Sequence, residues 1–270
     1  MAKCDSDGLR GLYEMLLRKV IDHVRKQEWT AVGIDFVIVV VGVFIGFQAQ
    51  AWSVERARQK SEQQYLVRLH DEVVQLAIVR ARYDSERTKF SRELLDAVDL
   101  LSGAAEDALI SPSQCDGIAG SAHTTVPPAD LPTVTELLST GRLDQLTSPT
   151  VRAAVLAYIQ DAARARDLIA VMSDAGRDLG KAYPGLIIHH VGASRIHEGE
   201  IWLNPDCDTA AMRADAAFRN ELSENAYMYQ VYTHRAVLPV SRQLAALHDV
   251  LDAELGMEHA PDDGVSRTID

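Results

Sequence analysis

The sequence is poor in aromatic residues and in residues that interrupt helices. Aromatic side chains make up 6% of the 270 residues, and the whole chain has only 16 glycines and 9 prolines. The apolar side chains, 47% of the composition, are mostly Ala, Leu and Val. Because this balance favours helices, we expect an all-α fold. A chain of this length can bury a sizeable core without a metal or a disulfide.

The sequence also lacks the short motifs of common catalytic sites. It contains no G-x-S-x-G nucleophile turn, no phosphate-binding glycine loop and no dinucleotide fingerprint. We therefore assign no catalytic or cofactor-binding residue, expect no cofactor, and predict that the protein is not an enzyme.

One group of residues leaves a metal-dependent hydrolase as an alternative. The group is His189, His190, His197, Glu198 and Glu200. Zinc enzymes commonly place two ligands one helical turn apart, so that both face the same ion. Adjacent histidines point in different directions on any regular backbone, and so we predict no metal site.

The charge is of one sign and excludes some partners. The net charge is −12, and six basic and six acidic side chains cancel within residues 1–52, so the whole excess lies after Trp52. An acidic domain repels phosphate backbones and anionic headgroups. We expect no nucleic-acid partner, and we expect that the acidic domain after Trp52 does not lie flat on lipid.

The sequence does have one long apolar run. Residues 36–47 read FVIVVVGVFIGF, and the apolar character extends from Trp29 to Trp52 with four polar interruptions. A helix needs about 20 residues to cross the hydrocarbon of a bilayer, and tryptophans mark both interfaces. We predict a transmembrane helix at 31–52 with Trp29 and Trp52 as interfacial anchors.

Two other interpretations of this run remain. A buried core segment could use twelve apolar residues, but the run has no polar face at either the helix or the strand period. A signal peptide could be cleaved at Ala49-Gln50-Ala51. The long preceding segment and the polar helical pattern that continues past this site favour an uncleaved span.

Basic residues near the span give a slight orientation bias. Arg18, Lys19, Arg25 and Lys26 precede the span, whereas Arg56, Arg58 and Lys60 follow it. Since cytoplasmic flanks carry the excess of Lys and Arg, we expect the amino terminus inside and the larger part of the chain outside the cytoplasm.

Three residues of the span are candidates for contact with a partner. Gly42 and Gly46 form a G-x-x-x-G pattern that allows close helix approach, as in a homodimer or with another membrane protein. Asp35 is costly in hydrocarbon. It either faces the headgroups and water or meets a buried partner.

The three cysteines are Cys4, Cys115 and Cys207. With the predicted topology, Cys4 stays in a reducing compartment while the other two share an oxidising one, where they could pair. The alternative is two buried free thiols. A bond between Cys115 and Cys207 would stabilise the domain by roughly 4 to 5 kcal/mol on the chain-entropy model.

The remaining patterns define four segments. We predict a cytoplasmic amphipathic helix beside the membrane at 1–30, resting on the surface or packing on a partner, and the transmembrane helix at 31–52. A helical-bundle domain follows at 53–256, and an acidic tail at 257–270 is expected to be disordered.

Within the bundle domain the transmembrane helix should continue to Gly103 as one long helix of an antiparallel bundle. Its seam from Leu66 to Leu101 is apolar except at Arg80 and Arg87, which indicates a polar layer. The triplet His70-Asp71-Glu72 is expected on a solvated face, because consecutive helical residues diverge around the axis.

Further elements follow from turn signals. We predict an irregular connection at 103–132, a short helix at 133–146, a helix from the Ser148 cap to 183, and a brief apolar stretch at 186–191. A loop at 192–206 then leads to a last helix that is capped by Asp206 or Asp208, is kinked by Pro239 and ends near 255. Tyr227, Tyr229 and Tyr232 of that helix are expected to pack in the core, and the alternative is that they line a ligand pocket between helices.

Part of the chain resembles a family of uncharacterised bacterial single-pass membrane proteins. The residues that carry the resemblance are GVFIGFQAQAW at 42–52, Glu55-Arg56 and YLVRLHDE at 65–72. The family shares a G-x-x-x-G/A-x-Q-x-x-x-W span that leads into a charged helix. The resemblance covers about residues 31–72, and a weaker similarity extends over residues 135–143. It implies a bacterial inner-membrane protein without assigned catalytic residues.

These observations favour a membrane-anchored interaction or sensing module with a periplasmic helical bundle. The protein would contact the lipid bilayer itself. To transmit a signal it would also need a partner in the membrane, which would bind at Gly42, Gly46 and Asp35. The alternatives are the anchored metal-dependent hydrolase and a passive structural protein of the envelope.

Overall fold

A computed structural model describes residues 29–103, 107–194 and 199–257. The predicted helix at 1–30 and the predicted tail lie almost wholly outside the described residues. The chain divides into two compact units, residues 1–60 and 61–270.

The described part of the first unit is helical. Helix α1 spans Trp29–Ser102 and so begins in this unit. Residues 33–60 are exposed along the whole stretch, including the apolar run. The Arg56 guanidinium lies 5.2 Å from the ring centroid of Trp52.

The second unit is built mainly of helices, and the predicted all-α class is confirmed. After α1 the described elements are α2 (Pro112–Ala119), α3 (Pro132–Ser139), a 3₁₀ turn (Leu143–Gln145), α4 (Pro149–Ala175), α5 (Leu179–Ala182), β1 (Ile187–Ala193), β2 (Ile201–Cys207), α6 (Thr209–Ala214), α7 (Ala216–Tyr232), a π-helical turn (Thr233–Val237) and α8 (Leu238–Leu255).

The core forms where the predicted apolar stripes meet. The seam of α1 buries residues at spacings of three and four, and the stripe of α4 does the same, because these spacings place side chains on one helical face. The buried seam residues of α1 are Leu66, Leu69, Val73, Leu76, Arg80, Leu94, Ala97 and Leu101, and those of α4 are Val151, Val155, Tyr158, Ala162, Ala165, Ile169 and Met172.

The predicted end of the helix that begins after Ser148 is wrong. Helix α4 ends at Ala175 with Gly176 in an extended conformation, and the residues up to Tyr183 form only the short α5. The Asn225 side-chain amide donates to the Arg177 main-chain oxygen at 2.8 Å and so holds the chain after this break. The amide comes from a distant helix, which explains why local sequence gave no signal.

The predicted loop at 192–206 is also wrong at both ends, where its residues belong to β1 and β2. Strands β1 and β2 pair antiparallel, with Ile187 opposite Cys207 and Ala193 opposite Ile201. Ile201-Trp202-Leu203 supplies β-favouring side chains, but Asn204-Pro205 directly after them reads as a turn. The pairing with β1 overrides that turn signal.

The predicted irregular connection at 103–132 contains helix α2. Ser111 is its N-cap, Pro112 occupies the first turn, and Gln114 completes a capping box. Serine and proline interrupt helices in the interior but start them at the amino end. Without the structure, the same residues favour a loop.

The predicted last helix is divided into parts. The Asp208 carboxylate caps α6, and Asp215 then interrupts the helix and caps α7. The π-helical turn lies just before Pro239, where we predicted a kink. There the Leu238 amide bonds to the Thr233 oxygen five residues back, and proline has no amide to donate.

Candidate functional site

Polar side chains form three successive groups between α1 and the carboxyl-terminal helices. In order along α1 they begin at His70, Arg80 and Tyr83. A buried polar side chain lowers stability unless it is hydrogen-bonded. In each of the three groups, some of the hydrogen-bond partners come from distant parts of the chain.

The first group is His70, His248 and Asp252. Nε2 of His70 lies 2.9 Å from Oδ1 of Asp252, and Nδ1 of His248 lies 3.4 Å from Oδ2 of the same carboxylate. The two imidazole rings are stacked with centroids 5.2 Å apart. One carboxylate therefore contacts two buried histidines.

Helix geometry explains how these residues meet. His248 and Asp252 are four residues apart on α8, so both side chains lie on one face. His70 follows the buried Leu69 on α1 and widens its buried stripe. The predicted solvated face is thus wrong for His70, which is 4% exposed. It holds for Asp71, whose side chain is 75% exposed.

This first group could hold a metal ion. Among the described residues it is the group in which three side chains of the metal-binding types His, Cys, Asp or Glu come together, with one ligand atom of each within 4.8 Å of the others. Two imidazoles and a carboxylate are donors that suit zinc and other divalent transition metals.

The second group is centred on Arg80, which is 1% exposed. Its guanidinium donates to the Ser241 hydroxyl at 2.9 Å from Nε and to the Val237 main-chain oxygen at 2.6 Å from Nη2. Asp84 lies 3.3 Å from Nη2, one turn along α1. The Ser241 hydroxyl also donates to the Asp84 carboxylate.

Burial dominates the electrostatics of this group. It lowers the pKa of Arg80 from its usual value, while Asp84 acts in the opposite direction. An arginine keeps its charge in proteins, so the guanidinium remains a cation within the core. Burial also raises the pKa of Tyr158, which stays neutral and donates to the Ala129 main-chain oxygen at 2.8 Å.

The third group is formed by tyrosines around Arg87. The hydroxyls of Tyr83 and Tyr232 are 2.6 Å apart, and Tyr232 donates to the Thr125 main-chain oxygen at 2.8 Å. The Arg87 guanidinium lies 4.9 Å from the Tyr83 ring centroid. Burial raises the pKa of Tyr229 in this group. These contacts confirm the polar interruption predicted for the seam.

The tyrosines of α7 divide between core and surface. Tyr229 and Tyr232 are buried as expected, whereas Tyr227 is 65% exposed and was wrongly placed in the core. Tyr227 lies two positions before Tyr229, which places the two side chains on different sides of the helix.

His189 and His190 are the described histidines of the alternative metal site, and their side chains do not meet at one point. His189 and His190 are adjacent in β1, where side chains alternate between faces. Nε2 of His190 lies 3.0 Å from the Asp206 carboxylate on the exposed hairpin, and His189 lies against Gly180. His197 and Glu198 lie outside the described residues.

Cys115 and Cys207 lie at disulfide distance. Their sulfurs are 2.04 Å apart and their Cα atoms 5.8 Å apart, across 92 positions of sequence. The pair joins α2 to the end of β2. Cys4 lies outside the described residues.

The residues predicted to meet a membrane or a partner in it are exposed wherever they are described. Among the described residues one helix is long and apolar enough to cross a membrane, by length and composition. Asp35 and Trp52 are exposed, and a Cβ added at Gly42 or Gly46 would have no atom within 4 Å. The side chain of Trp29 is outside the described residues.

The chain matches no protein-family model, none of the curated proteins and no solved structure.

Proposed function

We propose that the protein is a single-pass membrane-anchored interaction or sensing module. Residues 31–52 lie in the bilayer, the amino terminus lies in the cytoplasm, and the helical domain lies in the periplasm of a bacterial cell. The module binds a partner and has no catalytic output of its own.

One observation carries this proposal. The twelve apolar residues at 36–47 are exposed around the whole circumference of α1. Such a surface is stable only when hydrocarbon or another protein covers it, since water disfavours an apolar patch of this size. Length and composition match a bilayer span.

The polar groups on the same helix support a role in interaction or sensing. Buried ionic groups add little net stability, but they favour one register between helices. Helix α1 bears both the apolar run and the groups at His70 and Arg80. A helix held in one register by a few polar contacts can move to a second register when a ligand or partner favours it.

Membrane extraction tests the anchor. The wild-type chain should stay with membranes after a carbonate wash and need detergent for release. The double variant Val40→Arg and Phe44→Arg should shift substantially to the soluble or degraded fraction, because each central arginine costs about 2.5–3.5 kcal/mol on insertion. Ile78→Arg with Val79→Arg is the matched control, since both positions are exposed on α1 beyond the apolar run.

Native Cys4 provides the topology test. With Cys115 and Cys207 oxidised, a membrane-impermeant maleimide should label Cys4 only after the cells are permeabilised. Labelling in intact cells would reverse the orientation. A mature protein that starts near Trp52 would replace the anchor by a cleaved signal peptide.

Crosslinking in intact membranes tests the module itself. A defined neighbour or a homodimer, recovered through crosslinks at positions 35–46, supports an interaction role. Recovery of no specific neighbour would leave the passive envelope protein as the better description.

A further inference from the structure

We propose that His70, His248 and Asp252 bind one divalent first-row transition-metal ion, represented here by Zn²⁺. This inference goes beyond the proposed function and does not depend on membrane anchoring, because all three residues lie in the second unit.

The donor geometry supports a zinc ion. Zinc lies about 2.0–2.2 Å from nitrogen and oxygen ligands, so tetrahedral ligands are roughly 3.3–3.6 Å from one another. Nε2 of His70 lies 2.9 Å from Oδ1 of Asp252, and Nδ1 of His248 lies 3.4 Å from Oδ2, the other oxygen of the same carboxylate. The ligand atoms all lie within 4.8 Å of one another, so the widest gap has to close by at most about 1.5 Å.

The chemistry of the three donors also fits. Imidazole binds zinc as the neutral ring, and a carboxylate supplies negative charge. His70 and His248 are buried, and the Asp252 side chain is only 17% exposed. Three protein ligands leave a fourth position for water or for a group from a partner.

A neighbouring carboxylate lies near the other ring nitrogen of His70. Metal-bound histidines commonly direct that nitrogen toward a carboxylate, which fixes the ring and raises its basicity. Nδ1 of His70 lies 3.7 Å from Oδ1 of Asp71, beyond hydrogen-bond distance, while Nε2 faces Asp252. The exposed Asp71 would act as a positioning residue only after its carboxylate moves within about 3 Å of this nitrogen.

Metal binding would join two distant parts of the chain. His70 on α1 and Asp252 on α8 are 182 positions apart. An ion between them would stabilise the packing of these two helices and oppose their separation. Zinc would therefore favour the packed register of α1.

The first test is zinc titration of the full-length chain in detergent after treatment with a chelator, with Cys115 and Cys207 oxidised and the Cys4 thiol blocked. Calorimetry should give one ion per chain. The melting temperature should rise by roughly 5–10 °C when free zinc is about 100-fold above the dissociation constant. Absence of both effects in the wild-type protein would refute the site.

Variants locate the ion. Asp252→Asn and His248→Gln keep the size of each side chain and should weaken zinc binding by at least about 10- to 100-fold, whereas Asp71→Asn should have a smaller effect. His190→Gln is the matched control, since His190 also lies 3.0 Å from a carboxylate but on the exposed hairpin. Unchanged binding by a folded Asp252→Asn protein, or loss of binding in His190→Gln, would contradict the assignment.

X-ray absorption on the zinc-loaded wild-type protein gives a result that does not depend on any variant folding. Two imidazoles and oxygen donors are expected around the ion. A sulfur ligand, or fewer than two imidazoles, would place the zinc elsewhere.

Discussion

Nη2 of Arg80 lies 2.6 Å from the main-chain oxygen of Val237, the last residue of the π-helical turn. The two residues are 157 positions apart, and the contact fixes the position of α1 against the turn that precedes α8. A cation at this depth needs several acceptors, and Ser241 and Asp84 provide the others. The side chains of this polar group therefore depend on one another.

Removal of one member of this polar group should substantially lower the stability of the fold. Arg80→Met leaves the Asp84 carboxylate buried without its cation, and we expect a loss of about 3 kcal/mol, or roughly 6–12 °C in melting temperature. Thermal unfolding followed by circular dichroism measures the change. Arg82→Met is the matched control because Arg82 forms an exposed ion pair with Glu86 on the same helix. That variant should change stability by under about 0.5 kcal/mol.

Removal of both charges tests whether the pair contributes net stability to the fold. Arg80→Met combined with Asp84→Leu should regain most of the stability lost in Arg80→Met, since an apolar replacement of a buried ion pair is often neutral or stabilising. A double variant that is as unstable as Arg80→Met would show that the pair contributes net stability.

The cysteine pair gives a second prediction. The double variant Cys115→Ser and Cys207→Ser removes a cross-link between residues 92 positions apart. It should destabilise the domain by about 4 to 5 kcal/mol. The melting temperature of the wild-type protein should fall equally with a strong reductant. Cys4→Ser should change neither value. Mass spectrometry of protein isolated with thiols blocked should find peptides of Cys115 and Cys207 linked.

The fold followed from sequence where the signal is periodic. The seam from Leu66 to Leu101 repeats at helical spacing, and its interruption at Arg80 correctly indicated a polar group in the core. Helix ends were harder. Ser111-Pro112 starts a helix although the same residues commonly occur in loops, and only the capping box with Gln114 distinguishes the two.

The candidate site was less accessible from sequence, because it depends on contacts between distant residues. The His248-x-x-x-Asp252 spacing places two ligand types on one helical face and is a sequence signal for two of the three residues of the site. His70 lies in a charged triplet that is typical of a solvated face. Its burial follows from the packing of α8 on α1, which no local pattern reports.

The glycines of the apolar run give a third prediction. Gly42→Leu with Gly46→Leu should reduce association of the transmembrane helix in membranes, because close approach needs small residues on one face. Crosslinking yield or energy transfer between labelled copies measures this. Val37→Leu is the control, since its exposed position lies on the opposite side of the helix from both glycines. Equal association in both variants would exclude the glycine face as the contact.

The last prediction separates two tyrosines of α7. The Tyr232 hydroxyl is buried and contacts both the Tyr83 hydroxyl at 2.6 Å and the Thr125 main-chain oxygen at 2.8 Å. Tyr232→Phe removes one partner from each of these two groups, but the Tyr83 hydroxyl still donates to the Thr125 main-chain oxygen at 2.7 Å, and we expect a loss of about 0.5–1.5 kcal/mol. Tyr227→Phe should be nearly neutral because Tyr227 is exposed. Thermal unfolding of both variants under the same conditions measures the difference.

If Tyr83→Phe and Tyr232→Phe act through one network, the double variant should lose less stability than the sum of the losses in the two single variants. Strict additivity would show that the two hydroxyls contribute independently.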